Sequence, residues 1–251
     1  MDRLHREKDF HEEQAVARAA RWQDNAAWLH FADDEFLDHE SWVREAWQML
    51  GPLAGRQFLD YGCGHGMAAV VAARQGATVT AIELSHAYLC EAATRARVNG
   101  VSIHCVQADA QVLPFADASF DAVWGNAILH HLDLRQASRE LRRVMRPGAV
   151  AVFCEPWGGN PILNWARQYL PYPGKDRTVD EQPLRRADLM TLRETFPQLV
   201  WQGFQTFSMI GRAVPWLRRL RWLTSLDHWL VTRFAFLKNA CRYVVVCCRC
   251  D

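Results

Sequence analysis

Three glycines at alternate positions, Gly62, Gly64 and Gly66, separate an apolar run ending at Asp60-Tyr61 from a helical pattern that begins at Met67. Glycine adopts positive φ without strain and carries no Cβ, so this spacing suits a backbone that passes close to a ligand. Asp60 beside the glycines would repel a pyrophosphate but suits the ammonium end of an amino acid. Glu83 ends a second apolar run, Ala77 to Ile82, about twenty residues beyond the glycines, where a doubly wound sheet places the acceptor for two ribose hydroxyls. Its alternative role is to cap the helix beginning near Ser85. Proton-handling chemistry has candidates further on. His130 and His131 are adjacent, and an imidazole can take a proton from a hydroxyl or amine near neutral pH. Glu155, in Glu155-Pro156-Trp157, can orient an acceptor or cap the helix beginning near Asn160, and Trp157 can stack on a flat substrate.

These residues need a scaffold that brings the ends of several strands together. Strand-like and helix-like segments alternate from Gln57 to Glu155, the pattern of a parallel sheet with right-handed crossovers. The expected fold is α/β: a Rossmann-like, doubly wound seven-stranded sheet, mostly parallel with an antiparallel last strand, plus an N-terminal helical cap. The cap is expected over residues 1–55, with helices across His11 to Trp22 and Ser41 to Leu50, the second behind a Ser41 cap and ended by Gly51-Pro52. The main domain is expected over 56–251, with helices over Ile162 to Leu170 and Leu184 to Phe196. Strand six spans Leu199 to Phe207 and strand seven Arg242 to Cys248, with a helical insertion at about 209–239 between them. That insertion mixes aromatic and basic residues, so it suits packing helices, or else a lid or shallow membrane-contact face; it is too interrupted to span a membrane.

Several segments in order resemble the class I methyltransferases that use S-adenosylmethionine. Asp60-Tyr61-Gly62-Cys63-Gly64-His65-Gly66 is similar to the family's first motif, and Glu83 to its ribose acid. Gln107-Ala108-Asp109-Ala110 resembles the segment whose acid meets the adenine amino group. Ser119-Phe120-Asp121-Ala122-Val123-Trp124 resembles strand four, Asn126 to Leu132 its exit, and Glu140 to Ala149 the helix and turn before strand five. The resemblance implies S-adenosylmethionine as cofactor. Asp60, Gly62, Cys63, Gly64 and Gly66 would hold the methionine part, Glu83 and Leu84 the ribose, Asp109 and Ala110 the adenine, and Asn126 the edge near the amino acid. His131, His130 and Glu155 are the catalytic candidates. The implied reaction is methyl transfer to oxygen or nitrogen of a small, apolar or aromatic metabolite. Carbon methylation and a non-catalytic cofactor-binding protein are the alternatives. Such transfer requires no metal, and none is expected.

Composition narrows the partners. The chain has 251 residues, half of them apolar, enough for one core. Its net charge of +1 gives no electrostatic case for nucleic acid, and the small-molecule substrate is what the resemblance implies. Eight cysteines follow a charged N-terminus without the apolar core of a signal peptide, so reduced thiols and a cytoplasmic location are expected. Strand alternation sends Cys247 and Cys248 to opposite faces, against a metal cluster there. Trp22, Trp28, His30, Phe31 and Trp42 are candidates for a wall over the cofactor, and the acidic turn Asp33-Asp34-Glu35 suits solvent.

Overall fold

In a computed structural model of the chain, the described residues are 3–169, 182–206, 226–227, 229–231 and 233–251. The helices used below are α1 (Arg3–Ala19), α2 (Asp33–Leu37), α3 (Val43–Gln48), α4 (Met67–Arg74), α5 (His86–Val98), α6 (Leu134–Val144), α7 (Pro161–Tyr169) and α8 (Arg186–Thr195). The strands are β1 (Gln57–Tyr61), β2 (Thr78–Glu83), β3 (His104–Gln107), β4 (Phe120–Asn126), β5 (Met145–Pro156), β6 (Val200–Phe204) and β7 (Tyr243–Arg249).

The strands form one sheet in the order β3-β2-β1-β4-β5-β7-β6. β1 to β5 pair in parallel, and β7 runs antiparallel to both β5 and β6. This is the expected Rossmann-like arrangement, reversed in direction only at the last strand. The order places β1 and β4 side by side at the point where the chain's winding changes direction, so a crevice opens at their carboxyl ends.

Burial on both faces explains why β1, β4 and β5 are almost continuously apolar. Successive residues alternate between two cores. Phe58, Ala122, Trp124, Val152 and Cys247 pack with α3 and α4 on one side, while Leu59, Tyr61, Val123, Phe153 and Cys248 pack on the other. Cys247 and Cys248 thus part company across the sheet, and all eight cysteines are free. Burial pushes the Cys248 and Cys241 thiols up, as expected for apolar packing groups.

Boundaries differ from the sequence pattern where long-range contacts decide them. α1 starts eight residues earlier than the expected His11 and ends at Ala19, because its length is set by docking along α5: Arg18 donates to Glu91 at 2.9 Å and Ser85 Oγ donates to Glu12 at 2.6 Å. Ser41 does not cap α3; the helix begins after Trp42 with no side-chain cap, and Trp42 is fixed by stacking on Tyr243, ring centres 4.1 Å apart. The acidic turn becomes α2, with Asp33 paired to Arg74 and Asp34 to Arg44, and Glu35 accepting from the Ala32 N–H. β6 ends at Phe204 and β7 runs on to Arg249. Most of the expected insertion at 209–239 lies outside the described residues, as do the loop 171–176 and residues 177–181.

Candidate active site

A cavity of about 610 Å³ lies at the carboxyl ends of β1, β2 and β4. Each predicted cofactor residue but one lines it: Asp60, Gly62, Cys63 and Gly64 from the β1–α4 turn, Glu83 and Leu84 from β2, Asp109 and Ala110 after β3, and Asn126 ending β4. The exception is Gly66. It caps α4 at φ +79, and a Cβ there would stand 2.6 Å from the Ala92 Cβ and 2.9 Å from its Cα. Gly66 therefore lets α4 and α5 pack together, the close-approach role of a third glycine. Gly64, at φ +49, is different: a Cβ there meets nothing within 4 Å and would project into open space.

The polar groups of this wall are tied to one another. Glu83 accepts from the Gly64 N–H at 3.0 Å through one oxygen, and from the Leu84 and Ser85 N–H groups at 2.7 and 3.1 Å through the other. The carboxylate thus bridges the glycine turn and the end of β2. Asp109 accepts from the Gln111 N–H at 2.8 Å, and Gln111 accepts from the Asp133 N–H at 2.7 Å, joining the loop after β3 to the start of α6. Buried Tyr61 donates its hydroxyl to the Ala110 carbonyl beneath this loop.

Asp60 is a strongly perturbed acid of the cavity. It is 2% exposed, and Oδ2 accepts from the Ala69 N–H of α4 at 2.9 Å. Burial, with Glu83 nearby adding repulsion, pushes its carboxyl up to about 7 against the pull of the Ala69 N–H. No Lys, Arg or His pairs with it among the described residues. A buried carboxylate lacking a cation on the protein side suits a ligand that brings one. His65 also lines the cavity, and burial, with Arg95 and Arg18 nearby, holds its imidazole down at about 4; it is neutral at pH 7.

The three catalytic candidates separate. Glu155 is fully buried behind the cavity. One of its oxygens accepts from the Ile128 and Leu129 N–H groups at 2.9 and 2.8 Å, and the other lies 2.6 Å from His130 Nδ1. Glu155 and His130 therefore clamp the tight turn Leu129–His131 that leaves β4. His131, the last residue of that turn, reaches the cavity wall; His130 and Glu155 do not. Trp157 is also fully buried, tilted against Trp201 at 5.3 Å, so it is a core residue rather than a substrate platform.

The wall supplied by the N-terminal segment differs from the expected one. Trp22, Trp28, His30, Phe31 and Trp42 do not line the cavity; Glu7, His11, Gln14 and Phe36 do. Phe31 lies beneath the guanidinium groups of Arg74 and Arg95, and Trp28 is 74% exposed. Glu7, His11 and Gln14 fall at i, i+4 and i+7 on one stripe of α1. That spacing was the available signal, and it becomes visible only when the helix is started before His11.

Similarity to known proteins agrees with this geometry. Residues 59–153 match the family described as "Methyltransferase domain". Over 188 residues the chain is 39% identical to a malonyl-(acyl-carrier protein) O-methyltransferase of Enterobacter lignolyticus (strain SCF1), covering 73% of this chain and 69% of that protein. The chain belongs to the class I S-adenosylmethionine-dependent methyltransferases. It is also 34% identical over 149 residues to "Methyltransferase GfsG" of Streptomyces halstedii, covering 56% of this chain and 54% of that one. Several other curated relatives are likewise spanned over about half their length. In fold, this methyltransferase resembles an S-adenosylmethionine-dependent methyltransferase of Mesorhizobium loti, with a TM-score of 0.55 at 20% identity over 85% of this chain and 99% of that one. The family's cofactor is S-adenosylmethionine, and the buried Asp60 and the open space before Gly64 fit its ammonium and its close approach to backbone.

Proposed function

We propose that the chain transfers a methyl group from S-adenosylmethionine to an oxygen or nitrogen of a small, largely apolar metabolite. The observation that carries this is one cavity in which the cofactor residues at the ends of β1, β2, β3 and β4 share a wall with His131. In this reading Asp60 receives the ammonium, Glu83 the ribose hydroxyls, and Asp109 with Ala110 the adenine, with Asn126 at the amino-acid edge. When bound, the cofactor supplies a methyl carbon whose bond to sulfur breaks as the bond to the acceptor forms, leaving a neutral thioether, while the acceptor's proton passes to solvent.

The chain's own part is to hold the acceptor and exclude water. Phe36, Met67, Ile128 and Leu132 give the cavity an apolar wall, which favours an apolar or aromatic acceptor. His131 is the residue that meets the acceptor's nucleophilic atom, and His130 with Glu155 positions it. α1 closes the site, held on α5 by the Glu12–Ser85 and Arg18–Glu91 contacts. The relative named as an O-methyltransferase favours oxygen over carbon. None of the described helices is long and apolar enough to cross a membrane.

The test is release of S-adenosylhomocysteine from S-adenosylmethionine over a panel of small phenols, alcohols, carboxylic acids and amines, with mass analysis of the product. Transfer to oxygen or nitrogen supports the reading. Transfer only to carbon, or cofactor binding with no turnover on any acceptor, contradicts it.

A further inference from the structure

Three atoms of metal-ligand type converge on the cavity wall. Glu7 and His11 lie one turn apart on α1, and His131 approaches from the turn after β4. Glu7 Oε2 is 3.0 Å from His131 Nδ1 and 3.7 Å from His11 Nε2, and the three ligand atoms lie within 4.8 Å of one another. A tetrahedral zinc ion with bonds of about 2.0–2.1 Å sets neighbouring ligand atoms roughly 3.3 Å apart. The two measured separations bracket that value.

Two further features distinguish this cluster from a chance surface grouping. The Glu7 side chain is 8% exposed and that of His131 12%. His131 Nδ1 is shut off from solvent yet makes no hydrogen bond of acceptable geometry to any described residue. Its 3.0 Å approach to the carboxylate is therefore not the aligned N–H···O contact of a histidine oriented by an acid.

We propose that Glu7, His11 and His131 bind one divalent transition-metal cation of the zinc class, with its fourth position open to the cavity. Two imidazoles and one carboxylate suit zinc and its neighbours, whereas magnesium and calcium take oxygen ligands. Three protein ligands with a vacant fourth position is the pattern of a catalytic rather than a structural zinc site. Resting on the function proposed above, the fourth position takes an oxygen or nitrogen donor of the methyl acceptor. Coordination lowers the proton affinity of a bound hydroxyl, so the acceptor could lose its proton to water with His131 serving as a ligand. This departs from the metal-free site expected from sequence. It also assigns a purpose to α1, which brings two of the three ligands when it docks on α5.

The test is calorimetric titration of the chelator-treated full chain with zinc sulfate, repeated with cobalt chloride to read the visible spectrum. The expected result is one equivalent bound at micromolar Kd or tighter, with tetrahedral cobalt bands and no thiolate charge-transfer band. Glu7→Gln and His11→Ala should each weaken zinc by roughly tenfold or more, while His86→Ala leaves it unchanged. Titration of every variant with S-adenosylhomocysteine reports whether the fold and cofactor site survive. Cofactor binding without zinc binding would overturn the metal site and leave the methyltransferase reading standing. Equal zinc binding by Glu7→Gln and His11→Ala, or a thiolate band, would place the metal elsewhere and also overturn it. Zinc binding without cofactor binding would support the metal site and sink the function proposed above.

Discussion

S-adenosylhomocysteine should bind about tenfold more weakly at pH 6 than at pH 8, because Asp60 must ionise to receive its ammonium. Burial raises this carboxyl to about 7 in the cofactor-free protein. A group with that value is roughly nine-tenths ionised at pH 8 and roughly one-tenth at pH 6, which sets the tenfold factor, or about 1.4 kcal/mol. The sign follows from the direction of the shift: a raised carboxyl is protonated, and so unable to pair, on the acid side of 7. His65, held down at about 4, stays neutral throughout this window and adds nothing to the slope. Asp60→Asn preserves the size of the side chain and an oxygen for the Ala69 N–H but removes the charge. At pH 8 that variant should bind about 10- to 100-fold more weakly, the range for a hydrogen bond to a charged group. Its affinity should also lose the Asp60 part of the pH dependence. The assay is calorimetric titration at pH 6, 7 and 8 in buffers of matched ionic strength. A flat profile for the native chain, or the same slope in Asp60→Asn, would refute the assignment of Asp60 to the ammonium.

Asp60→Asn should also stabilise the cofactor-free fold at pH 8, by up to about 4 kcal/mol, and not at pH 3.5. The native carboxyl titrates near 7 against 3.8 when exposed, so its burial penalty grows between those values and is fully present above 7. Denaturant midpoints at the two pH values check this. Glu155→Ala should cost about 3–5 kcal/mol, since it removes the acceptor of the part-buried Ile128 N–H, the buried Leu129 N–H and His130; a loss below about 1 kcal/mol in urea unfolding would contradict the clamp. Gly66→Ala should lower stability by roughly 2–4 kcal/mol, because its Cβ meets the Ala92 backbone at positive φ. Gly64→Ala should cost only about 1 kcal/mol in stability yet weaken S-adenosylhomocysteine, which thermal unfolding and titration together would show.

The cofactor half of the site was legible because its chemistry is local. Each residue sits at the end of a strand whose apolar run marks it, and the chain order of a parallel sheet brings those ends together. Glu83 shows the limit even there. Its place was readable, but not its three bonds to the Gly64, Leu84 and Ser85 N–H groups, which tie the glycine turn to β2. The acceptor half depends on contacts far apart in sequence. Glu155 and His130 read as exposed chemistry because both follow strands, yet they meet each other across 25 residues and turn inward. Glu7 and His11 reach His131 from the other end of the domain. The register of their helix is fixed by Ser85 and Glu91 of another segment. The aromatic residues of the N-terminal segment were misplaced for a related reason. Spacing marks a residue as facing inward but does not say whether inward is core or cavity, and Phe31 and Trp42 found core.

The most direct test of the cofactor assignment is calorimetric titration of the native chain and of Glu83→Ala with S-adenosylhomocysteine at pH 8. Micromolar binding to the native chain, weakened roughly tenfold or more in the variant, is the predicted result for a ribose carboxylate. Absence of binding to the native chain, or equal binding by Glu83→Ala, would contradict the assignment of this cavity to the cofactor.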